Sequence, residues 1–399
     1  MRTVVAGGSV FDGTGTPAAR ADVAIEDGRI VDVGSALDGD ARVDVGGGTI
    51  LPGLFDCHTH VTVSSVDLWQ VAQRPFSYQF YEAARNLEAT IRIGITTVRD
   101  AGGADLGIKE AVEDGLTLGP RLQISIIMLS QTGGHGDDWY PSGAHIPFMT
   151  EHPGRPSGVV DGPDEVRRKV RELVRAGADV IKVATSGGVL SPRDDPRHAH
   201  LRPVELEALV EEATAAGIFV MAHAQGADGI KNAVRAGIRS IDHGIYLDDE
   251  AIELMKDRGT WFVPTLVAAQ GVLDAAAAGV PLPPVVVDKA HQVVEIHRTA
   301  FRRAVEAGVR IAMGTDSGVT PHGRNLRELE LMVAGGMSPL AALEATTRSA
   351  AQLLGVDDDL GTIEPGKIAD LVVVSGDIAD LSGLGERVEQ VWKAGSRVV

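Results

Sequence analysis

Between residues 50 and 313, short β-branched runs alternate with amphipathic helical stretches, and that alternation constrains the fold more than any other feature. The runs are Ile50–Leu54, Gly94–Val98, Leu122–Leu129, Val180–Ala184, Phe219–Ala222, Ser240–Asp242, Trp261–Val263 and Arg310–Met313. Helical spacing is plain in between: over Asp164–Ala176, the apolar residues Val166, Val170, Leu173 and Val174 share one face and Gly177 supplies the stop. Eight strand-like runs separated by helices predict an α/β fold, a parallel (β/α)8 TIM barrel.

The chain ends have another texture. Residues 1–49 carry short alternating segments broken by Asp27-Gly28 and Gly46-Gly47-Gly48, and similar segments return at Ala369–Val374 and Val388–Val399. We expect the two ends to pair into a composite β-sandwich domain, 1–52 plus 360–399, flanking a barrel domain of 53–359. At 399 residues the chain is long enough for a barrel of about 250 residues and a smaller unit. The loop Ser130–Gly162 is too long for a simple connection, and its His135, Trp139, Tyr140 and His145 among Gly and Pro mark it as a binding loop.

Composition narrows the chemistry. Cys57 is the only cysteine, so a disulfide or thiolate cluster within the chain is excluded and any metal must sit on nitrogen and oxygen. A net charge of −18 without a clustered basic face argues against nucleic acid as a partner. With 44% hydrophobic residues and no apolar run of about 18 residues, no membrane span is expected. The Met1–Val10 stretch lacks the pattern of a secretory signal, so a cytoplasmic location is expected. The Gly7-Gly8-Ser9 and Gly13-Thr14-Gly15 turns lack the P-loop pattern and its lysine.

Ligand-type residues recur where the strands end. In Asp56-Cys57-His58-Thr59-His60, period-two alternation puts His58 and His60 on one face with Cys57 opposite. Lys182, His223, His243 and Asp316 follow at the ends of later runs. Each has a bland reading alone: a satisfied polar histidine, a helix-capping Asp316, a snorkelling Lys182. The ordered set is hard to explain that way. Lys182 is the most telling, because an unpaired ammonium in an apolar strand is costly. Burial lowers a lysine pKa, and a neutral amine reacts with carbon dioxide to give a carbamate able to bridge two cations. Nitrogen and oxygen donors of this kind suit zinc.

This ordered set resembles the binuclear set of the amidohydrolase superfamily. Ser130-Gln131-Thr132-Gly133-Gly134-His135-Gly136, Lys182–Val189 and Met221–Gly226 are similar to the prolidase-like and carboxypeptidase-like branch related to imidazolonepropionase, and Gly361–Leu371 resembles the superfamily's return to its sheet domain. The resemblance implies two divalent ions, zinc by preference: His58, His60 and Asp316 on the first, His223 and His243 on the second, and carboxylated Lys182 between them. It implies attack by a metal-bridging hydroxide on an amide bond of a dipeptide or N-acyl amino acid, with Asp316 moving the proton and His135 bonding the carbonyl or oxyanion.

For a substrate carboxylate, Tyr246, Arg193, Arg197, His198 and His322 lie in suitable loops, Tyr246 being favoured. The expected partner is a small-molecule substrate, and the expected assembly a homo-oligomer. Carbamates, ureas or other foreign amides and esters are the alternative substrates. A non-catalytic scaffold and a one-metal deaminase are alternatives of other kinds, and Lys182 speaks against the deaminase.

Overall fold

The computed structural model describes all 399 residues. The strands in chain order are β1 (Thr3–Val10), β2 (Ala19–Glu26), β3 (Arg29–Gly34), β4 (Ala41–Asp44), β5 (Thr49–Pro52), β6 (Leu54–Thr59), β7 (Ile95–Asp100), β8 (Arg121–Ile124), β9 (Met128–Leu129), β10 (Val180–Ala184), β11 (Phe219–Ala224), β12 (Ser240–His243), β13 (Trp261–Val263), β14 (Leu371–Val374), β15 (Val388–Lys393) and β16 (Ser396–Arg397).

The two chain ends share one eight-stranded sheet, ordered β16-β15-β14-β5-β1-β2-β3, with β4 also beside β1. The joint is the antiparallel pair of β5 and β14, running from Leu371 opposite Pro52 to Val374 opposite Thr49. Alternation sends Val5, Val23, Ile25, Ile50, Leu371 and Val373 into one small core, and Val4, Ala6 and Ala24 to the other face.

The middle of the chain is α/β with parallel sheets: β6-β7-β8, and β9-β10-β11-β12-β13. Two predicted strands divide in the structure. Ile50–Leu54 straddles β5 and β6, which belong to different sheets. Gly53 makes the passage possible, since a Cβ there would lie 2.2 Å from Thr96 Oγ1 and 2.9 Å from Asp370 Cβ. Leu122–Leu129 breaks into β8 and β9 around Ile126, whose φ is +69°. Arg310–Met313 forms an isolated bridge, Ile311 to Phe262, in place of a strand. It still touches both sheets: the Phe262 N–H donates to Arg310 O at 2.8 Å and the Cys57 N–H to Met313 O at 2.9 Å.

The helix expected over 164–176 spans Pro163–Arg175, with proline in its first turn, Asp164 and Glu165 at its positive end and Arg175 at its negative end. Its buried Val166, Val170 and Leu173 each contribute about 1.5–3 kcal/mol against the sheet. The loop 130–162 contains no helix or regular strand. Thr132 ties its start to its end through Asp161, and buried Arg155 donates to the Thr150 and Gly103 carbonyls. No helix is long and apolar enough to cross a membrane.

Candidate active site

Parallel strands point the same way, so their C-terminal ends gather their last side chains on one side. His58 and His60, two residues apart at the end of β6, turn their Nε2 atoms toward Asp316 Oδ1, at 3.5 and 3.1 Å. One donor atom from each of these three residues lies within 4.8 Å of the others. Lys182 Nζ is 3.4 Å from His58 Nε2. The His243 ring lies 4.9 Å from that of His58, and the His223 ring 4.6 Å from that of His243.

Each imidazole is oriented from behind. His58 Nδ1 meets Asp242 Oδ2 at 2.7 Å, and His60 Nδ1 meets Gly102 O at 2.8 Å. His243 Nδ1 meets Thr265 Oγ1 at 2.8 Å, and His223 Nε2 meets Gly187 O at 3.1 Å. A carboxylate or carbonyl oxygen only accepts, so the N–H sits on Nδ1 of His58 and His60 and on Nε2 of His223 and leaves a lone pair on the other nitrogen; the Thr265 hydroxyl is placed to accept from His243 Nδ1 in the same way. Asp242 is itself held by Ser240 Oγ at 2.9 Å and Arg99 at 3.3 Å.

Burial and charge keep these groups in ligand form. Burial lowers Lys182 to about 8, against the pull of Asp242 and Asp316. It also takes His58 and His223 well below the ordinary histidine value and His243 to about 3. Burial alone would raise Asp316, but the His60 hydrogen bond and the neighbouring imidazoles more than reverse it, and its carboxyl sits well below the usual range. Three neutral imidazoles, a fourth at His60 that burial would lower but Asp316 pulls up, a carboxylate and an amine poised to lose its proton form a donor set that fits divalent cations. The backbone is strained at the same place: His243, Thr265 and Asp316 have φ of +75°, +53° and +60°.

All six residues line one cavity of about 400 Å³, along with His135, Arg193, Gln225 and His297. His135 stacks on His223 with centroids 4.2 Å apart, and its Nδ1 meets Asp194 Oδ2 at 2.9 Å. Lys289 braces Asp194 and takes the Gly188 and Ser191 carbonyls at 3.0 and 2.8 Å. Gly188 allows this approach, because a Cβ there would lie 2.2 Å from the His135 ring. Arg193 lies over the Tyr140 ring at 4.6 Å and donates to Asp137 O at 2.7 Å.

Four residues expected to touch substrate do not reach this wall, among them Arg197, whose guanidinium pairs with Asp195 instead. Half-buried Tyr246 lies near the Arg197–Asp195 ion pair. His198 is exposed, with its backbone engaged by Gly187 and Asp195. His322 packs behind His58 and His60, where its Nε2 meets the His60 and Val63 carbonyls at 3.2 and 3.1 Å. Sequence reasoning missed Asp242, Arg99, Asp194 and Thr265. Arg99 and Asp242 did carry a signal, as charged residues inside apolar strands, which burial permits only when they are paired.

The amidohydrolase family profile matches residues 49–398. Ochratoxinase of Aspergillus niger is 35% identical over 98% of this chain and 86% of its own length. Among solved structures, a Xaa-Pro dipeptidase with methionine in its active site is 35% identical, with a TM-score of 0.91 over 100% of this chain and 99% of that one. A prolidase complexed with N-methylphosphonate-L-proline is 37% identical, with a TM-score of 0.91 and the same coverage. The chain belongs to the amidohydrolase family.

Proposed function

We propose that this protein is a binuclear metal-dependent hydrolase that cleaves the amide bond of a dipeptide or N-acyl amino acid at the mouth of a (β/α)8 barrel. The carrying observation is the convergence of six ligand-type side chains on one cavity floor, four of them imidazoles oriented from behind. In this reading the two parallel sheets and the 310–317 segment close the barrel, and the chain-end sheet folds as the sandwich of a 1–52 plus 360–399 domain. His58, His60 and Asp316 would hold one ion, His223 and His243 the other, and Lys182 as its carbamate would serve both. Zinc suits these donors best.

When bound, the ions supply Lewis acidity toward the scissile carbonyl and bring the pKa of a water to about 7. Asp316 takes the proton of the attacking water and returns it to the leaving amine. His135, anchored through Nδ1 to Asp194 and stacked on His223, presents its other nitrogen to the carbonyl oxygen. Arg193 receives a substrate carboxylate, and Val189, Leu190, Ile245 and Val272 surround an apolar side chain. The reading keeps a small-molecule substrate, no nucleic-acid or membrane partner, a homo-oligomer and a cytoplasmic location.

The dipeptidase and prolidase likenesses support the peptide reading. The apolar walls and the likeness to ochratoxinase favour a second one, hydrolysis of bulky foreign amides, carbamates or ureas. Turnover of a library of prolyl dipeptides, N-acyl amino acids and aromatic amides separates them. Release of free amino acid from dipeptides or acyl amino acids supports the first reading. Cleavage of the foreign amides alone moves the assignment to the second, and turnover of none by zinc-loaded protein removes both.

A further inference from the structure

The helix Leu266–Ala277 starts without the cap its sequence offers. Thr265 precedes it in a left-handed conformation, φ +53° and ψ 44°, and its side chain makes no capping bond. A threonine at that position ordinarily accepts a hydrogen bond from the first turn. Here the Thr265 hydroxyl is occupied with His243 Nδ1 at 2.8 Å. The orphaned N–H groups of Leu266 and Val267 donate instead to Glu328, one to each carboxylate oxygen, both at 2.8 Å. Glu328 is fully buried, and the only hydrogen-bond partners of its carboxyl are these two N–H groups. A buried carboxyl with no cation beside it is costly unless such bonds repay it.

Three residues earlier, Asn325 does the corresponding work for the other side of the site. Its Nδ2 donates to Asp56 Oδ2 at 2.8 Å. Asp56 Oδ1 accepts the His58 and Thr315 N–H groups, each at 3.1 Å, and its Oδ2 accepts the Thr315 hydroxyl at 2.6 Å. Thr315 immediately precedes Asp316, so this network fixes the backbone on both sides of the His58–Asp316 pair.

We propose that Asn325 and Glu328 are positioning residues that set the two halves of the donor set from a single turn of chain. Asn325 acts through Asp56 on His58 and Asp316, and Glu328 acts through Thr265 on His243. Glu328 relieves the Thr265 hydroxyl of capping and frees it to fix the His243 tautomer. The inference rests on the two-ion reading, and the experiment separates their failures.

Zinc alone is titrated into the full chain against a competing chelator, for the wild type, Glu328→Gln, Asn325→Ala, Thr265→Val and the Glu328→Gln/Thr265→Val double variant. Glu328→Gln is expected to weaken one zinc about 10–100-fold and leave the other unchanged, and Asn325→Ala to weaken the other. Thr265→Val reproduces Glu328→Gln, and the double variant adds nothing further. Histidine-selective ¹⁵N NMR of the metal-free chain reads the His243 tautomer directly: Nδ1–H in the wild type, mixed in Glu328→Gln and Thr265→Val.

Wild-type zinc affinities with an unchanged His243 signal in Glu328→Gln, or additive effects in the double variant, overturn the proposal. If Glu328→Gln does not fold, an unaltered tautomer in Thr265→Val overturns it. A wild type that binds no zinc removes the two-ion reading, and the tautomer measurement still decides the role of Glu328.

Discussion

On the cavity floor, His58 is held at Nδ1 by Asp242, 2.7 Å away, and Asp242 is itself bonded to Ser240 and Arg99. Across the cavity, exposed Arg193 leans over Tyr140, and its hydrogen bond goes to the Asp137 backbone. The floor is made largely of strand ends, and each of its four imidazoles has a partner behind it that fixes its orientation. The roof is made of the 130–162 and 189–195 loops, where His135, bonded to Asp194 and stacked on His223, is braced like the floor and the other side chains have few such partners. Chemistry that needs donors held to a fraction of an ångström belongs on the first kind of scaffold, and recognition of a variable substrate on the second. The comparison therefore predicts that floor substitutions act on turnover and metal retention, and roof substitutions on substrate preference.

The largest effect is expected for Asp316→Asn, which should retain much of the metal and lose about 10²–10⁴-fold in kcat. Near-normal turnover in this variant would remove Asp316 from proton transfer. Next, His135→Ala should lower kcat by about 10²–10³-fold with zinc content unchanged. A rise confined to KM would place His135 with the roof. Replacing Asp242 by Asn should weaken zinc binding by about 10–100-fold without touching the ligands themselves, and unchanged affinity in a chelator competition would break the contrast between floor and roof.

The pH dependence of assembly follows from Lys182. Burial places its pKa at about 8, below the ordinary lysine value, so the reactive neutral amine is lost as pH falls through 8. At a fixed concentration of dissolved carbon dioxide, reconstitution of metal-free protein should thus slow about tenfold per unit below that pH and level off above it. A flat profile between pH 6 and 9 would contradict this role for the lysine. The smallest effect is expected at the roof, where Arg193→Ala should raise KM for substrates with a free carboxylate and leave kcat and neutral amides nearly unchanged.

The floor was legible in the sequence because its signals are local and ordered. Period two pairs His58 with His60, and the strand-end positions of Lys182, His223, His243 and Asp316 put all six on one side of parallel strands. Strand limits were less legible: Ile50–Leu54 reads as one apolar run, and only Gly53, squeezed between Thr96 and Asp370, shows where the chain changes sheets. The roof was hardest, because loop side chains are placed by tertiary bonds that leave no periodic trace. Tyr246 lies in a loop that looked suitable for a substrate carboxylate, yet it sits off the cavity wall near the Arg197–Asp195 pair. The supporting residues Thr265, Asn325 and Glu328 were invisible for the same reason, since each acts on a partner far away in sequence.

The measurement that tests the central claim most directly is elemental analysis of protein purified without chelators, for the wild type and Lys182→Ala, with amide hydrolysis followed in parallel. The account predicts about two zinc-class ions per chain with turnover in the wild type, and loss of both in Lys182→Ala. A wild type that hydrolyses amides without metal, or a Lys182→Ala variant that keeps two ions and full turnover, would contradict it.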